Sequence, residues 1–394
     1  MFLLFHVVGS LKPVILIPGT MGSVLRGSVT NRKTRWYCPK NVAETDIWVK
    51  KEYCIPPLGN CLSDWLTMRY DSATNTAINQ EGVNLDVVDF GGVEGISYLD
   101  EFFNITNFVP YFNKYIKYLE KKGYTVGKDL FGAPFDWRRG LMLGDAHYKR
   151  MKDLVEKAYT LNSNQKVALV GHSLGGYFIH YFLSNITTPE WRQKYIESAI
   201  LVAPSFGGCG TVVENLWNGA LYIMRHFGIS DSAMGALASS LGALYVHLPN
   251  HKAFGDLHVF HDETGKGYTA AELPELLSKN GKFRNTPEIF ELHKQFSAQT
   301  INPLDVPTVI VYNDKMKTAI GYNAQTKKYM YSLGDTLINA EGYHYACNNW
   351  KSSKKLKCIN LDSTSEFASH IFMVMKEEYV DLVLKHVLDT EWEK

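Results

Sequence analysis

Gly171-His172-Ser173-Leu174-Gly175 follows directly after the mostly apolar residues 166–170 and stands directly before the apolar residues 176–180. This order predicts a strand, a sharp turn and a helix, which is the setting that a nucleophile elbow requires. The turn forces Ser173 into a strained backbone conformation, and the glycines on either side relieve the steric crowding. The Ser173 hydroxyl would then project above the sheet edge, where the next N–H can point at a developing oxyanion. The sequence therefore predicts a serine nucleophile.

The composition is that of a folded chain without a charge excess. Of the 394 residues, 45% are hydrophobic, which is enough for a substantial core in one large α/β domain or two smaller ones. Lys and Arg number 41 and Asp and Glu 40, with no concentrated basic stripe, so nucleic acid is not expected as a partner. The sequence has no uninterrupted apolar stretch of about 20 residues, so no membrane-spanning segment is expected.

The first residues allow two interpretations. Residues 1–10, MFLLFHVVGS, are typical of a shortened signal-peptide core that ends in small residues. They lack a basic start, however, and a strand over residues 13–17 follows almost at once. Residues 1–12 are therefore a signal remnant or an extra first strand, and we favour secretion.

The six cysteines favour the same compartment. None has C-x-x-C spacing and H-E-x-x-H is absent, so no metal site is expected. Cys38, Cys54 and Cys61 lie close together, as do Cys347 and Cys358, and local disulfides suit an oxidising compartment. Sequons at Asn104 and Asn185 agree with this. We expect a glycoprotein that is secreted or lumenal in the secretory or endolysosomal pathway.

Strand and helix patterns alternate along the chain, which predicts a mostly parallel sheet. The strands are expected at residues 13–17, 166–170, 198–203 and 306–312, and the helices at residues 108–122, 149–161 and 372–388. Residues 130–139 are expected to form a strand end with its loop. The loop Pro18-Gly19-Thr20-Met21-Gly22 follows the first strand, where an α/β-hydrolase places one oxyanion donor. The sequence thus predicts an α/β-hydrolase domain over residues 13–394.

Two segments interrupt the alternation. Residues 31–79 are rich in tryptophan, proline and cysteine and show no helical or strand period, which suggests a small subdomain. Residues 211–248 are apolar with interspersed glycines and belong to an insertion at about 205–300. They are either ordinary core helices of a cap or a mobile lid over an apolar acyl site.

The nucleophile needs a histidine base and an acid that orients it, in the chain order serine, acid, histidine. His370 fits best because it lies just before the predicted last helix, and His344 is the second choice. Asp314 follows the strand at 306–312, and Asp335 follows a predicted hairpin near residues 329–331. Fold logic alone leaves these two acids nearly equal.

Four motifs together resemble the lecithin:cholesterol acyltransferase and lysosomal phospholipase A2 family. They are Pro18-Gly19-Thr20-Met21-Gly22, Gly132-Ala133-Pro134-Phe135-Asp136-Trp137-Arg138, Gly171-His172-Ser173-Leu174-Gly175 and Gly334-Asp335-Thr336. The resemblance extends from about Pro13 to Leu388 and is thin between residues 210 and 330. Its most specific part is the Ala-Pro-aromatic-Asp-Trp-Arg signature, in which Asp136 to Arg139 would buttress the site.

The resemblance implies a role for each matching residue. Ser173 would be the nucleophile, Asp335 the acid and His370 the base, with the backbone N–H groups of Thr20 and Leu174 as oxyanion donors. It also implies a Cys38–Cys61 disulfide and a lid over about residues 212–245. A membrane-contacting subdomain is implied at about residues 36–70, with Trp48 at its exposed apolar tip.

The implied activity is that of a serine phospholipase and lipid O-acyltransferase, which acts without a cofactor or metal. The acyl chain of a glycerophospholipid would pass through an acyl-enzyme to water or to a lipid alcohol such as a sterol. The implied partner is a phospholipid membrane or lipoprotein surface, bound peripherally. The alternatives are a lipase or esterase that acts on neutral glycerides and a non-catalytic lipid-binding relative.

Three positions depart from the family pattern. The strand at 306–312 lacks the cysteine that would pair with Cys347, so Cys347 either pairs with Cys358 or stays free. The family's acid motif has one more residue before its threonine than Gly334-Asp335-Thr336. Thr20 stands where acid-active relatives have an aspartate, which must be protonated beside an oxyanion. We therefore expect activity near neutral pH, limited by the need for an unprotonated His370.

Overall fold

The computed structural model describes residues 11–99, 101–102, 105–106, 110–221, 229–279, 288, 291, 301–350 and 356–388. The interpretations of residues 1–10 and of the Asn104 sequon therefore lie outside the described residues, as do residues 222–228 of the expected lid.

The described strands, in chain order, are β1 Val14–Ile17, β2 Leu25–Val29, β3 Val42–Trp48, β4 Met68–Asp71, β5 Thr76–Asn79, β6 Val83–Val87, β7 Glu101–Phe102, β8 Ile105–Thr106, β9 Leu130–Gly132, β10 Val167–His172, β11 Ile196–Val202, β12 His258–His261, β13 Gly267–Thr269, β14 Thr308–Tyr312, β15 Met316–Asn323, β16 Lys328–Gly334 and β17 Leu356–Asn360. The described α-helices are α1 Gly59–Leu66, α2 Glu94–Ser97, α3 Asn113–Lys121, α4 Asp145–Leu161, α5 Leu174–Tyr181, α6 Pro189–Tyr195, α7 Gly210–Asn218, α8 Asp231–Ser240, α9 Gly242–Val246, α10 His251–Phe254, α11 Leu273–Lys279, α12 Ala340–Asn349, α13 Phe372–Met375 and α14 Glu377–Leu388.

The central sheet has the strand order β17-β14-β11-β10-β1-β9. Each neighbouring pair is parallel, with Val14 opposite both Ala168 and Leu130. All residues of β1, β10 and β14 are buried. Strands that are buried on both faces have continuous apolar sequences. This is why the alternation of strands and helices can be recognised in the sequence. The predicted α/β-hydrolase fold with a mostly parallel sheet is confirmed.

A small unit with an antiparallel sheet lies between β1 and β9 in the chain. Strands β3, β2 and β6 pair in that order, and α1 and the β4–β5 hairpin follow within the same segment. A disulfide joins Cys38 to Cys61 at the first buried turn of α1. The disulfide closes a segment of short elements, in which β3 precedes the start of α1.

The expectation that Trp48 forms an exposed tip is wrong. Only 2% of Trp48 is exposed, because its indole packs edge-to-face on Trp137 at 5.2 Å between ring centroids. The indole N–H also donates a 2.9 Å hydrogen bond to the Met21 carbonyl. Trp48 thus faces the interior, next to the loop that follows β1. The exposed apolar side chains of this segment are Trp36, at 96%, and Ile55, at 53%.

The segment between β11 and β14 carries the helices α7 to α11. The apolar side chains of Val213, Leu216, Leu237 and Leu244 are buried. Hydrogen bonds tie the segment to the unit that the Cys38–Cys61 disulfide closes. They include those from the Ser63 hydroxyl to the Ala233 carbonyl and from the Met68 N–H to the Ser240 hydroxyl. Helix α8 of this segment therefore packs against α1 and β4 of that unit.

Arg138 forms a buried ion pair with Asp136. Arg138 is fully buried and donates to both carboxylate oxygens of Asp136, at 2.9 and 2.8 Å, and to the Asn79 side chain at 2.7 Å. Burial favours the neutral form of Asp136, but the Arg138 and Arg139 charges outweigh it and lower the pKa of Asp136.

A disulfide joins Cys347 on α12 to Cys358 on β17, which resolves the alternative left open by the sequence. Within the described part of the chain, no helix is both long and apolar enough to cross a membrane.

Candidate active site

The Ser173 turn is a strained strand-to-helix connection at the carboxyl end of β10. Ser173 has a φ of 57°, in the left-handed region that non-glycine residues rarely adopt. Its N–H donates to the Val202 carbonyl on β11 at 2.9 Å, and its carbonyl accepts from the Ser205 N–H at 3.2 Å. A Cβ at Gly171 or Gly175 would lie within 2.5 Å of a backbone oxygen. The neighbouring glycines therefore allow the turn to form, and helix α5 begins at Leu174.

The loops after β16 and before α13 bring Asp335 and His370 together. His370 Nδ1 lies 2.7 Å from Asp335 Oδ2, and the His370 N–H donates to the Asp335 carbonyl, also at 2.7 Å. Each of the two loops is therefore held by the other through both a side chain and the backbone. Asp335 is completely buried and His370 nearly so.

Every Asp335 carboxylate oxygen has donors. Oδ1 accepts from the backbone N–H groups of Leu337 and Ile338, at 3.1 and 2.7 Å. Oδ2 accepts from the Tyr343 hydroxyl at 2.9 Å in addition to His370. Donors of this kind stabilise a buried carboxylate ion. Asp335 can therefore fix the His370 tautomer that has its proton on Nδ1.

The His370 ring lies beside the Ser173 turn. The ring centroids of His370 and His172, the residue before Ser173, are 4.8 Å apart. Within the described residues, His370 Nε2 is buried and has no hydrogen-bond partner. This nitrogen is thus free to accept a proton from a hydroxyl in the site.

The loop after β1 lies against the Ser173 turn. A Cβ added at Gly19 would lie 2.8 Å from Ser173 Cβ and 3.0 Å from the His172 carbonyl oxygen, so only glycine fits there. Thr20 follows at once, and Leu174 is the first residue of α5, where N–H groups have no partner within the helix. Both residues that were expected to supply oxyanion donors therefore border the turn.

The two rival residues from the sequence form a pair of their own. His344 Nε2 lies 2.9 Å from Asp314 Oδ2, and Asn360 donates to Asp314 Oδ1 at 2.8 Å. The His344 side chain is about half exposed, at 48%. Asp314 and His344 are therefore paired with each other, whereas Asp335 is paired with His370.

Sequence reasoning missed Tyr343 and Tyr111 and gave His172 no role. Tyr343 lies on α12, eight residues after Asp335, and no motif marks it. Tyr111 lies just before α3, where it reads as an ordinary apolar helix residue. His172 was visible inside the pentapeptide. Burial, with a smaller contribution from His370, holds the pKa of His172 well below its usual value, so its ring is neutral.

The described residues contain no group of three or more His, Cys, Asp or Glu side chains that could hold a metal ion. The chemistry available at this site is that of a serine, an imidazole and backbone N–H donors.

Comparisons with known proteins agree with the sequence motifs. The sequence model of the family described as lecithin:cholesterol acyltransferase matches residues 44–301. A lecithin-cholesterol acyltransferase-like 1 protein from Arabidopsis thaliana is 29% identical over 68% of this chain and 66% of its own length. A lysosomal phospholipase A and acyltransferase from Bos taurus is 24% identical over 88% of this chain and 85% of its own. A solved structure of esterase B from Lactobacillus rhamnosus has 12% identity and a TM-score of 0.31, covering 70% of this chain and 68% of that one.

The two candidate acids can be separated by matched substitutions. We expect Asp335→Asn to slow labelling of Ser173 by a fluorophosphonate probe about 10³-fold or more, because the amide favours the wrong His370 tautomer. Asp314→Asn should stay within about twofold of the wild type, since its partner is the half-exposed His344. Labelling rates followed by gel fluorescence decide this, and the reverse order would make Asp314 the acid.

Proposed function

The chain belongs to the lecithin:cholesterol acyltransferase family, and from this premise we propose that it cleaves fatty-acyl esters of glycerophospholipids through Ser173, His370 and Asp335. The enzyme class, a phospholipase or acyltransferase with a hydrolase fold, follows from the family and its relatives. The observation that carries the residue assignment is the 2.7 Å contact between the buried Asp335 and His370 beside the strained Ser173 turn.

The first step forms an acyl-enzyme. His370 Nε2 takes the Ser173 proton as the serine oxygen attacks the ester carbonyl, and the charge on the imidazolium is stabilised by Asp335. The backbone N–H groups of Thr20 and Leu174 donate to the tetrahedral oxyanion, and each such donor stabilises the transition state by about 3 kcal/mol. His370 then returns the proton to the departing lysophospholipid oxygen.

The second step transfers the acyl chain. Water or a lipid alcohol such as a sterol gives its proton to His370 and attacks the Ser173 ester. His370 then returns this proton to the departing Ser173 oxygen, which releases the fatty acid or the alcohol ester and restores the free enzyme. The acceptor is selected by how well the cap excludes water from the site. The apolar helices α7 to α9, which belong to the proposed lid at about residues 212–245, lie in the cap.

Acyl transfer is tested with phosphatidylcholine vesicles in which each acyl chain carries a different label, with and without cholesterol, between pH 4.5 and 8. We expect Ser173-dependent release of one labelled chain near neutral pH, because the reaction needs an unprotonated His370. The labelled product gives the position of the cleaved ester, and a steryl ester identifies transfer to the sterol.

Ser173→Ala is the control for that experiment. A wild-type protein that labels at Ser173 but leaves phospholipid intact would contradict the substrate, and parallel triacylglycerol emulsions then test the glyceride alternative. A wild-type protein that neither labels nor releases fatty acid would instead indicate the non-catalytic lipid-binding alternative.

Peripheral membrane contact is proposed through Trp36 and Ile55 rather than Trp48. Both apolar side chains are exposed on the disulfide-bonded unit, and apolar side chains of this size favour the membrane interface by about 1.5–3 kcal/mol each. Trp36→Ser with Ile55→Ser should lower binding to phosphatidylcholine vesicles at least about tenfold in a flotation assay. Leu161→Ser is the control, because Leu161 is exposed to about the same extent as Ile55 but lies at the end of α4. Equal binding by both variants would contradict this surface.

We further propose that the protein resides in an oxidising compartment of the secretory or endolysosomal pathway. Support comes from the two disulfides and from Asn185, which is exposed within its sequon. Protein from its native cells should lose mass on treatment with an N-glycosidase, and Asn185→Gln should make that loss smaller. An unmodified Asn185 together with reduced cysteines would contradict the location.

A further inference from the structure

The Tyr111 hydroxyl connects the two sides of the Ser173 turn. It lies 2.9 Å from the Gly19 backbone nitrogen, in the loop that carries the proposed oxyanion donor Thr20. It also lies 2.5 Å from His172 Nδ1. Tyr111 is nearly completely buried, so water does not substitute for these contacts.

The same histidine reaches the base. His172 Nε2 lies 3.0 Å from the backbone carbonyl oxygen of His370. The hydrogen-bonded residues thus run from Gly19 through Tyr111 and His172 to His370. Since the His370 N–H is bonded to the Asp335 carbonyl, the loop of the acid is held as well.

The direction of each bond follows from its partners. A carbonyl only accepts, so His172 Nε2 carries the ring proton and donates to His370. The buried His172 is neutral, and its Nδ1 is therefore an acceptor. Burial also raises the pKa of Tyr111, so the phenol keeps its proton and donates it to Nδ1. The phenol oxygen is then left to accept from the Gly19 N–H, and every donor has one acceptor.

We propose that Tyr111 and His172 are positioning residues that set the distance between the oxyanion loop and the His370 imidazole. Neither touches the reacting atoms. Gly19 directly precedes Thr20, His172 directly precedes Ser173, and His370 holds the third position. One chain of directed hydrogen bonds therefore fixes three of the four groups that act on the ester of the substrate: the Thr20 N–H, the Ser173 hydroxyl and the His370 imidazole. The fourth group is the Leu174 N–H. The proposal rests on the proposed function, because it concerns the same nucleophile.

Loss of the Tyr111 hydroxyl should act on the transition state. Tyr111→Phe leaves the Gly19 N–H and His172 Nδ1 buried without partners, and both loops can then shift. Misplaced donors weaken oxyanion stabilisation and proton transfer without changing how the substrate binds. We expect kcat for a short soluble ester to fall about 10- to 100-fold, with KM within about twofold.

The matched control is Tyr148→Phe. The Tyr148 hydroxyl is also buried and donates to a backbone carbonyl, that of Leu141, at 2.6 Å. A merely structural role for Tyr111 predicts that both variants lose thermal stability alike and keep kcat. The proposal predicts similar melting temperatures for the two variants and a loss of kcat in Tyr111→Phe alone.

Fluorophosphonate labelling of Ser173 separates this inference from the proposed function, because the probe needs the nucleophile and its neighbours but no lipid. The labelling rate of Tyr111→Phe should fall in step with kcat. A rate within about twofold of the wild type, or a loss confined to KM, would overturn the positioning role while leaving the proposed function intact.

If Tyr111→Phe does not fold, His172→Gln carries the same test. Its amide nitrogen can still donate towards the His370 carbonyl, but its amide oxygen is attached to the same carbon and does not occupy the position of Nδ1, so the bond from Tyr111 is lost. Labelling of this variant at the wild-type rate would overturn the proposal. A wild-type protein that the probe does not label would instead overturn the proposed function.

Discussion

The close approach of backbone segments at the carboxyl end of β10 is the constraint on which the site depends. Across the Ser173 turn itself, a Cβ at Gly171 would lie 2.5 Å from the Gly175 carbonyl oxygen. A Cβ at Gly19 would lie 2.8 Å from Ser173 Cβ, and one at Gly175 would lie 2.2 Å from the Ile17 carbonyl oxygen. This contact lets the loop after β1 meet the Ser173 turn and strains Ser173 into a positive φ. The fully buried strands on either side hold the turn in place, so the strain is supported by the sheet itself.

Around that contact, the buried side chains of Asp335, Tyr111 and His172 form defined hydrogen bonds. Asp335 receives four donors, from two backbone N–H groups, a tyrosine and the base. Tyr111 and His172 extend these hydrogen bonds to the loop after β1. An unsatisfied buried polar group costs about 1–3 kcal/mol, so networks of this kind restrict each side chain to one orientation. Transition-state stabilisation by fixed dipoles depends on such restriction.

The fold was predictable because its signals are local. Continuous apolar strands, helical spacing and the glycines around Ser173 each act over a few residues, and the four motifs added the family. The choice between Asp314 and Asp335 was not local, because both acids follow strands and only the three-dimensional path of the β15–β16 hairpin decides which one meets His370. Tyr111 and Tyr343 were missed for the same reason, since each bonds a residue from a different segment. Trp48 was wrongly placed at the surface because its position was carried over from the family resemblance, and residues 31–79 have no period from which its burial could be inferred.

The most direct test of the account concerns the acyl-enzyme. Two phospholipids with the same acyl chain but different headgroups would be offered in the presence of a fixed concentration of a competing alcohol, and the ratio of fatty acid to alcohol ester would be measured for each. A common acyl-Ser173 intermediate has lost its headgroup before the acceptor arrives, so the account predicts the same ratio for both substrates. A ratio that changes with the headgroup would contradict transfer through Ser173.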